Sequence, residues 1–341
     1  MGDLISILIP TKGRIDELQQ LLQSLSEMNG RDSIFHEILI INNAADQNTA
    51  ESVAELVQSY IRLEGDQWKL VREPVAGKSR ALNRGIALAR GNILAFLDDD
   101  VVVTPSWLTA TSNFFAQSEF DVKQGAIHIP PALIANEEFL TLLRQYRTIF
   151  YLMKADSDGQ SIKSLNAANL AIRRDLLQKS GYFDERLGPG ASGTSMDSEF
   201  GERVKKVGGR IGYESKSVVY HQVDWGRLTD KYFRWRNEAE GWSNYLYKDI
   251  RLDAILSNLL CSTARFCFYS LLGSKRKKYR MKGRCFRYHV MLKAKLRDLG
   301  NYATFLLNCD RGVNIDEKSR RVSAESCRLK ESPRFCSRQR R

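Results

Sequence analysis

The chain has 341 residues, 43% hydrophobic and 27% charged, which excludes a disordered polypeptide over most of its length and allows one large domain with an appendage or two modest domains. Its net charge of +12 is uneven: residues 251–341 hold 23 Lys+Arg against 7 Asp+Glu, a net of +16, so residues 1–250 carry −4. An acidic partner (anionic lipid, nucleic acid or another polyanion) is therefore expected for the last quarter, and the asymmetry carries no information about the chemistry of the first 250 residues.

No basic n-region or small-residue cleavage site precedes the apolar run Leu4 to Ile9, so the expected setting of the N-terminal part is the cytoplasm. That run stops at Pro10-Thr11-Lys12-Gly13. Asp16 to Met28 has Leu18, Leu21, Leu22 and Leu25 at helical spacing. Glu37 to Ile41 is a second strand, followed by Asn42-Asn43, and Thr49 to Ile61 a second helix. Lys69 to Val71 is a short strand. Lys78 to Ala89 is a third helix, stopped by Arg90-Gly91, and Ile93 to Leu97 is a fourth strand that runs into Asp98-Asp99-Asp100. This alternation predicts a parallel sheet covered on both faces, with ligands at the carboxyl ends of its strands. The polar residues Thr11-Lys12, Asn42-Asn43 and the aspartate triplet fall at those ends.

Further along, Lys123 to Ile129, Ala168 to Ile172 and Ser217 to His221 read as strands. Glu137 to Met153, a segment from Arg174, and Ser198 to Lys206 read as helices. Gly188 to Gly193 reads as a mobile glycine-rich loop. Ala254 to Leu272 is mostly apolar but contains Arg265 and several polar residues, and Lys275-Arg-Lys-Lys278 follows. A central arginine is costly in lipid, so the segment is expected to lie on a membrane or to pack on the first domain rather than to span a bilayer. All six cysteines lie beyond residue 260 without C-x-x-C spacing, which argues against a zinc site and for reduced thiols.

Three consecutive carboxylates at a strand end repel one another unless a cation sits among them. A hard divalent ion takes carboxylate together with phosphate oxygens, so Asp98 to Asp100 is a candidate metal and nucleotide site; a solvated acidic turn is the alternative.

Ser6-Ile-Leu-Ile-Pro-Thr-Lys-Gly-Arg14, Gly77-Lys-Ser-Arg-Ala-Leu-Asn-Arg-Gly85 and Ala89-Arg-Gly-Asn-Ile-Leu-Ala-Phe-Leu-Asp-Asp-Asp100, in this order and spacing, resemble the family-2 glycosyltransferases. The resemblance covers about residues 1–245. It implies a GT-A α/β fold with a mostly parallel central sheet flanked by helices; beyond it, composition reads as a basic helical extension over 246–312 and a disordered tail over 313–341. It implies a nucleotide-diphosphate sugar donor, a UDP-sugar being favoured, a divalent metal (Mn²⁺ or Mg²⁺) and inversion at the anomeric carbon. On the matching positions it assigns Asp100 and His221 to the metal. Pro10, Thr11, Arg14, Asn42, Lys78, Arg84, Asp98, Asp99 and Asn169 are assigned to the donor, with Asn166 lining the sugar pocket beside Asn169. Asn42 stands where the family usually has an aspartate.

The stretch Asp184 to Glu199 resembles the family's acceptor-side acidic pair, with Met196 in place of the usual Glu. It makes Asp197 the general base; a helix cap at Ser198 is the structural alternative, and Glu199 a second candidate base. Arg234-Trp235 matches part of the Gln-x-x-Arg-Trp motif of processive synthases. Lys231 replaces the Gln and no multi-span channel follows, so a single-addition enzyme is expected. Arg227, Arg234 and Arg236 are further candidates for the diphosphate.

The expected product is a polysaccharide or glycolipid, made on a glycan or lipid-linked acceptor. The expected location is cytoplasmic, at the inner face of the cell membrane, through contact of the basic region with anionic lipid. A nucleotidyltransferase lacks support, because Ile9 to Arg14 has one glycine only. A nucleic-acid- or polyanion-binding protein with an inactive GT-A domain is the rival from another class; nucleic acid is not the expected partner, since no reader motif is present.

Overall fold

A computed structural model describes residues 3–147, 162 and 165–310 of the chain, with the backbone alone for 302–310. The expected helix end over 148–153 and the tail over 313–341 lie outside the described residues. Strands β1 (Ile5–Thr11), β2 (His36–Asn42), β3 (Trp68–Arg72) and β4 (Ile93–Leu97) alternate with helices α1 (Ile15–Ser26), α2 (Gln47–Glu64) and α3 (Lys78–Leu88). Then come β5 (Val101–Val103), α4 (Trp107–Gln117), β6 (Val122–His128), α5 (Pro131–Ile134) and α6 (Glu137–Tyr146). They are followed by β7 (Asn169–Arg173), α7 (Arg174–Ser180), α8 (Met196–Lys206) and β8 (Ile211–His221). After a 3-10 turn at Trp225–Arg227 the chain is helical: α9 (Asp230–Tyr247), α10 (Leu252–Leu271) and α11 (Lys275–Asp310).

One eight-stranded sheet has the order β3-β2-β1-β4-β7-β6-β8-β5. Six strands run one way; β7 and β5 oppose them. The period-two alternation of β1 divides the core between the two faces of the sheet. Ile5, Ile7 and Ile9 pack with α1, α2 and α4, whereas Leu8 packs with α3, α7 and α8. Both faces are covered, which is why the central strands read as continuous apolar runs.

The direction of the strands puts the carboxyl ends of β1, β2, β4, β6 and β8 along one edge. The register of β5 against β8 pairs Val101 with His221, which brings the end of β8 beside the residue that precedes β5, Asp100. A second bond fixes this corner: the Gln222 N–H donates to the Asp100 carbonyl, 2.8 Å.

The chain divides into two compact units, Met1–Met291 and Leu292–Arg341. Helix α10 and the part of α11 up to Met291 belong to the first of these units. The cause is close helix contact: a Cβ on Gly241 of α9 would meet the Arg287 carbonyl oxygen at 2.5 Å, and one on Gly283 of α11 would meet the Asn237 side chain at 2.4 Å. Tyr279 of α11 also packs edge-on against Phe233 of α9 and Tyr146 of α6.

Candidate active site

A cleft of about 1410 Å³ opens at the carboxyl edge of the sheet. One group of its residues comes from strand ends: Pro10 and Thr11 ending β1 and Arg14 just after it, Asp98 to Asp100 after β4, and His221 ending β8. The others come from loops and helices: Asn43 just after β2, Gly77 and Lys78 at the start of α3, Asn166, residues of the loop from Pro189 and the start of α8 as far as Asp197, and Arg227, Tyr232, Trp235 and Arg236.

The three aspartates have separate surroundings. Asp99 is buried, accepts a hydrogen bond from Thr11 Oγ1 at 2.8 Å and pairs with Arg14. Burial outweighs that arginine, and the Asp99 carboxyl is held above its usual range. Asp98 pairs with Lys78. Asp100 is buried, pairs with Arg14 and with Arg227 (Nη2 to Oδ2, 3.0 Å), and lies 3.5 Å from His221 Nε2. Burial opposes ionisation of Asp100, but His221, Arg14 and Arg227 together overcome it and hold this carboxyl well below the usual carboxylate range.

Asp98, Asp100 and His221 can each offer one ligand atom, all within 4.8 Å of one another. Asp100 Oδ1 is closed off from solvent and has no hydrogen-bond partner. Two carboxylate oxygens and an imidazole nitrogen, one oxygen lacking a partner, fit a hard divalent cation such as Mn²⁺ or Mg²⁺.

Asp197 arises from a different construction. The loop Gly188 to Thr194, expected to be mobile, is tied by its own backbone: Gly188 N–H donates to Thr194 O at 3.0 Å and Gly193 N–H to Gly188 O at 2.8 Å. It closes on the start of α3, where Lys78 N–H donates to Pro189 O at 2.9 Å. The approach needs two glycines, since a Cβ on Gly190 would meet Gly77 Cα at 2.9 Å. The loop ends at Ser195, whose φ of +70° is the one positive value outside glycine among the described residues. That left-handed residue turns the chain into α8, so that Asp197 sits in the first helical turn and lines the cleft. Ser195, not Asp197, is the N-cap, and its side chain makes no capping bond.

Asp197 accepts a hydrogen bond from the Ala167 N–H, yet its buried Oδ1 has no partner. Burial raises its pKa; Lys78 opposes this without reversing it. Lys78 itself is pushed down by burial and up by Asp98, Asp197 and Asp100, with a net rise, so it remains a cation between the two acidic groups.

Three expected site residues lie outside the cleft lining. Asn42 is the last residue of β2, buried, and donates its amide N–H to Ala50 O at 2.8 Å, while its oxygen accepts from Ala44 N–H. The next residue, Asn43, lines the cleft; it accepts from Gly77 N–H at 2.9 Å and donates to Glu73 O and Val75 O, which positions the loop before Lys78. Arg84 is exposed and six residues beyond Lys78, about 240° round the helix, so it faces away.

Asn169 is fully buried and serves the sheet. Where the pairing of β6 with β8 jumps from Gly125–Glu214 to Ala126–Val218, its amide donates to the carbonyls of Ala126 (2.9 Å) and Ser217 (2.7 Å). Its oxygen accepts from Trp107 Nε1 and Lys123 Nζ. Asn166 is the amide that lines the cleft instead. Of the three candidate arginines, Arg227 and Arg236 line it, whereas exposed Arg234 pairs with Glu238. Tyr232 and Trp235, with ring centroids 5.3 Å apart, add an aromatic ledge. The signal for that ledge was the i, i+3 spacing on one helix face.

A mostly parallel sheet curled so that β8 and β5 close beside the carboxyl edge defines the class of fold, GT-A. Residues 6–181, just over half of the chain, match glycosyl transferase family 2, and the chain belongs to that family, a family of glycosyltransferases. It is 25% identical over 236 residues to glycosyltransferase AglE of Haloferax volcanii, covering 67% of this chain and 71% of AglE. It is 28% identical over 191 residues to a beta-monoglucosyldiacylglycerol synthase of Trichormus variabilis, covering 53% of this chain but only 38% of the synthase. Among solved structures, the mannosyltransferase PcManGT from Pyrobaculum calidifontis, in complex with GDP-Man and Mn²⁺, shares the fold. Its TM-score is 0.50 at 15% identity, over 96% of this chain and 85% of that one.

Proposed function

We propose that this chain transfers a single sugar, with inversion and without processive elongation, from a nucleotide-diphosphate sugar to an acceptor hydroxyl. A UDP-sugar is the favoured donor, with a GDP-sugar the next to test, since the mannosyltransferase of like fold was solved with GDP-Man. The observation that carries the reading is the pairing of two acidic sites in one cleft. One is the Asp98, Asp100 and His221 cluster; the other is Asp197, whose Oδ1 lacks a partner.

Asp197 is the base: it takes the proton of the acceptor hydroxyl as that oxygen bonds to the anomeric carbon and the sugar–phosphate bond breaks. The bonding electrons leave with the diphosphate, near the cations Lys78, Arg14 and Arg227. Asp100 and His221, with Asp98, hold a divalent ion (Mn²⁺ or Mg²⁺), which when bound offsets the negative charge of the leaving group. Thr11 and Arg14 fix Asp99 and, with Pro10, form the donor wall. Asn43 and Asn166 take the donor-side roles expected of Asn42 and Asn169. Arg227 and Arg236 are additional donor contacts.

The glycolipid in the name of the diacylglycerol-linked relative supports a lipid-borne or glycan acceptor, in glycolipid or polysaccharide assembly. Single addition is supported by Arg234 pairing away from the cleft, and no described helix is long and apolar enough to cross a membrane. The setting proposed is the inner face of the cell membrane, met by the basic C-terminal region.

A thermal-shift screen of UDP, GDP and their sugars tests the donor side, with and without Mn²⁺, on wild type and Asp100→Ala. Stabilisation by one nucleotide that needs both the metal and Asp100 is the expected result. Equal stabilisation without metal, or in Asp100→Ala, would overturn the metal assignment.

A further inference from the structure

Helix α10 leaves an apolar stripe uncovered on the side away from its packing contacts. Its inward side holds Ile255 and Ser262, both buried, with half-buried Asn258, Phe266 and Tyr269. The helix is tied to α11 through polar atoms, Arg284 Nη2 to Asn258 Oδ1 at 3.5 Å on the inward side and exposed Thr263 Oγ1 to Cys285 Sγ at 3.7 Å at its margin. Its outward side carries a stripe of apolar residues, with Ser257, Thr263 and Arg265 exposed beside it. Leu256, Leu260, Ala264, Cys267 and Leu271 follow at spacings of three and four residues, which is a single stripe on a helix, and Phe268 flanks it. Leu260 is 70% exposed and Leu271 88%.

Exposed apolar side chains scattered singly need no explanation, but a stripe over four turns of one helix does. The stripe ends at a cationic cluster: Lys275, Arg276, Lys277 and Arg280 are all exposed at the start of α11. The exposed carboxylate within α10, Asp253, is paired with Arg251 at its far end.

We propose that the outward face of α10, with Lys275, Arg276 and Lys277, docks on an anionic lipid membrane, the helix lying in the interface. This deepens the membrane contact of the functional reading and rests on that part of it alone. The chemistry selects lipid over a second copy of the chain. A self-complementary contact would bring like cationic clusters toward each other, whereas acidic headgroups neutralise the lysines and arginines while acyl chains take up the leucines. The helix is not apolar enough to cross the bilayer, which leaves the in-plane position.

The full-length protein is tested by flotation with vesicles of phosphatidylglycerol in phosphatidylcholine against phosphatidylcholine alone, with oligomeric state measured by light scattering. The wild type is expected to float with the anionic vesicles only. Leu260→Glu/Leu271→Glu and, separately, Lys275→Glu/Arg276→Glu/Lys277→Glu should each lower partitioning by at least about tenfold. Nucleotide-induced thermal shift should stay unchanged in both, since none of these residues lines the cleft. Failure to float, or floating insensitive to Leu260→Glu/Leu271→Glu, would overturn lipid docking and leave the transferase reading intact. Conversion of an oligomer to a monomer by the leucine variant, with vesicle binding unchanged, would assign the face to a second copy instead.

Discussion

Asp100 and Asp197 line one cleft, yet their surroundings push them in opposite directions. Asp100 stands at the carboxyl edge of the sheet among Arg14, Arg227 and His221, and its pKa is driven down. Asp197 stands in the first turn of α8 behind a glycine-rich loop; burial is its dominant influence, Lys78 only partly offsets it, and its pKa is driven up. A carboxylate that stays ionised suits a metal and a diphosphate, and one poised to take a proton suits a base, so the split in environment supports the proposed division of roles. Two buried lysines make the same contrast. Lys78, facing Asp98 and Asp197, is held charged, whereas Lys123, hydrogen-bonded to the hydroxyls of Thr111 and Ser217, is pushed down to about 7 by burial.

The sharpest way to break this comparison is Asp197→Asn. Transfer should fall by about 10²- to 10⁴-fold while nucleotide affinity stays nearly unchanged, as single-turnover rates and calorimetry would show. The same variant carries a stability signature. A carboxyl with a raised folded pKa favours the folded state at low pH, and that contribution is lost as pH rises through the folded value. Asp197→Asn should therefore melt higher than wild type at neutral pH, with the difference vanishing below the ordinary value of 3.8. For the same reason the acid limb of wild-type kcat/KM should lie above 3.8.

Asp100→Ala should remove the metal-dependent part of nucleotide stabilisation, about 2.7 kcal/mol at a hundredfold excess over Kd, measured by thermal shift. Lys123 supplies a smaller effect. With a folded pKa of about 7 against the ordinary 10.5, the unfolded chain binds the extra proton between those values. Stability should thus rise with pH across that window by at most about 1.4 kcal/mol per unit, and Lys123→Met should flatten the slope of a pH series of denaturant melts. Ser195→Gly relieves a left-handed residue. It should stabilise the fold by about 1 kcal/mol in urea melts, and transfer should slow as the Asp197 turn loosens.

The parallel half of the sheet was legible because position along a strand is also position in the site. Thr11, the aspartate triplet and His221 all fall at strand ends, and the pairing of Val101 with His221 brings two of those ends together. A single step along a strand changes what a residue faces. Asn42 is still in the sheet and points to α2, while Asn43 is past its end and faces the cleft, because successive residues of a strand take opposite sides. Asn169 was claimed by a register break between β6 and β8 that no local pattern announces. Helix α4 was not anticipated, although Trp107, Leu108, Thr111, Phe114 and Phe115 have the spacing of a buried face. In α10 the periodicity gives a helix, but apolar residues fall on both of its faces, and which face meets solvent depends on its contact with α11.

The central claim is tested most directly by measuring metal-dependent nucleotide binding and sugar transfer side by side in Asp197→Asn and Asp100→Asn. Retained binding without transfer in the first, and loss of metal-dependent binding in the second, is the predicted result. Transfer at the wild-type rate by Asp197→Asn, or unchanged metal-dependent binding by Asp100→Asn, would contradict the division of roles between the two aspartates.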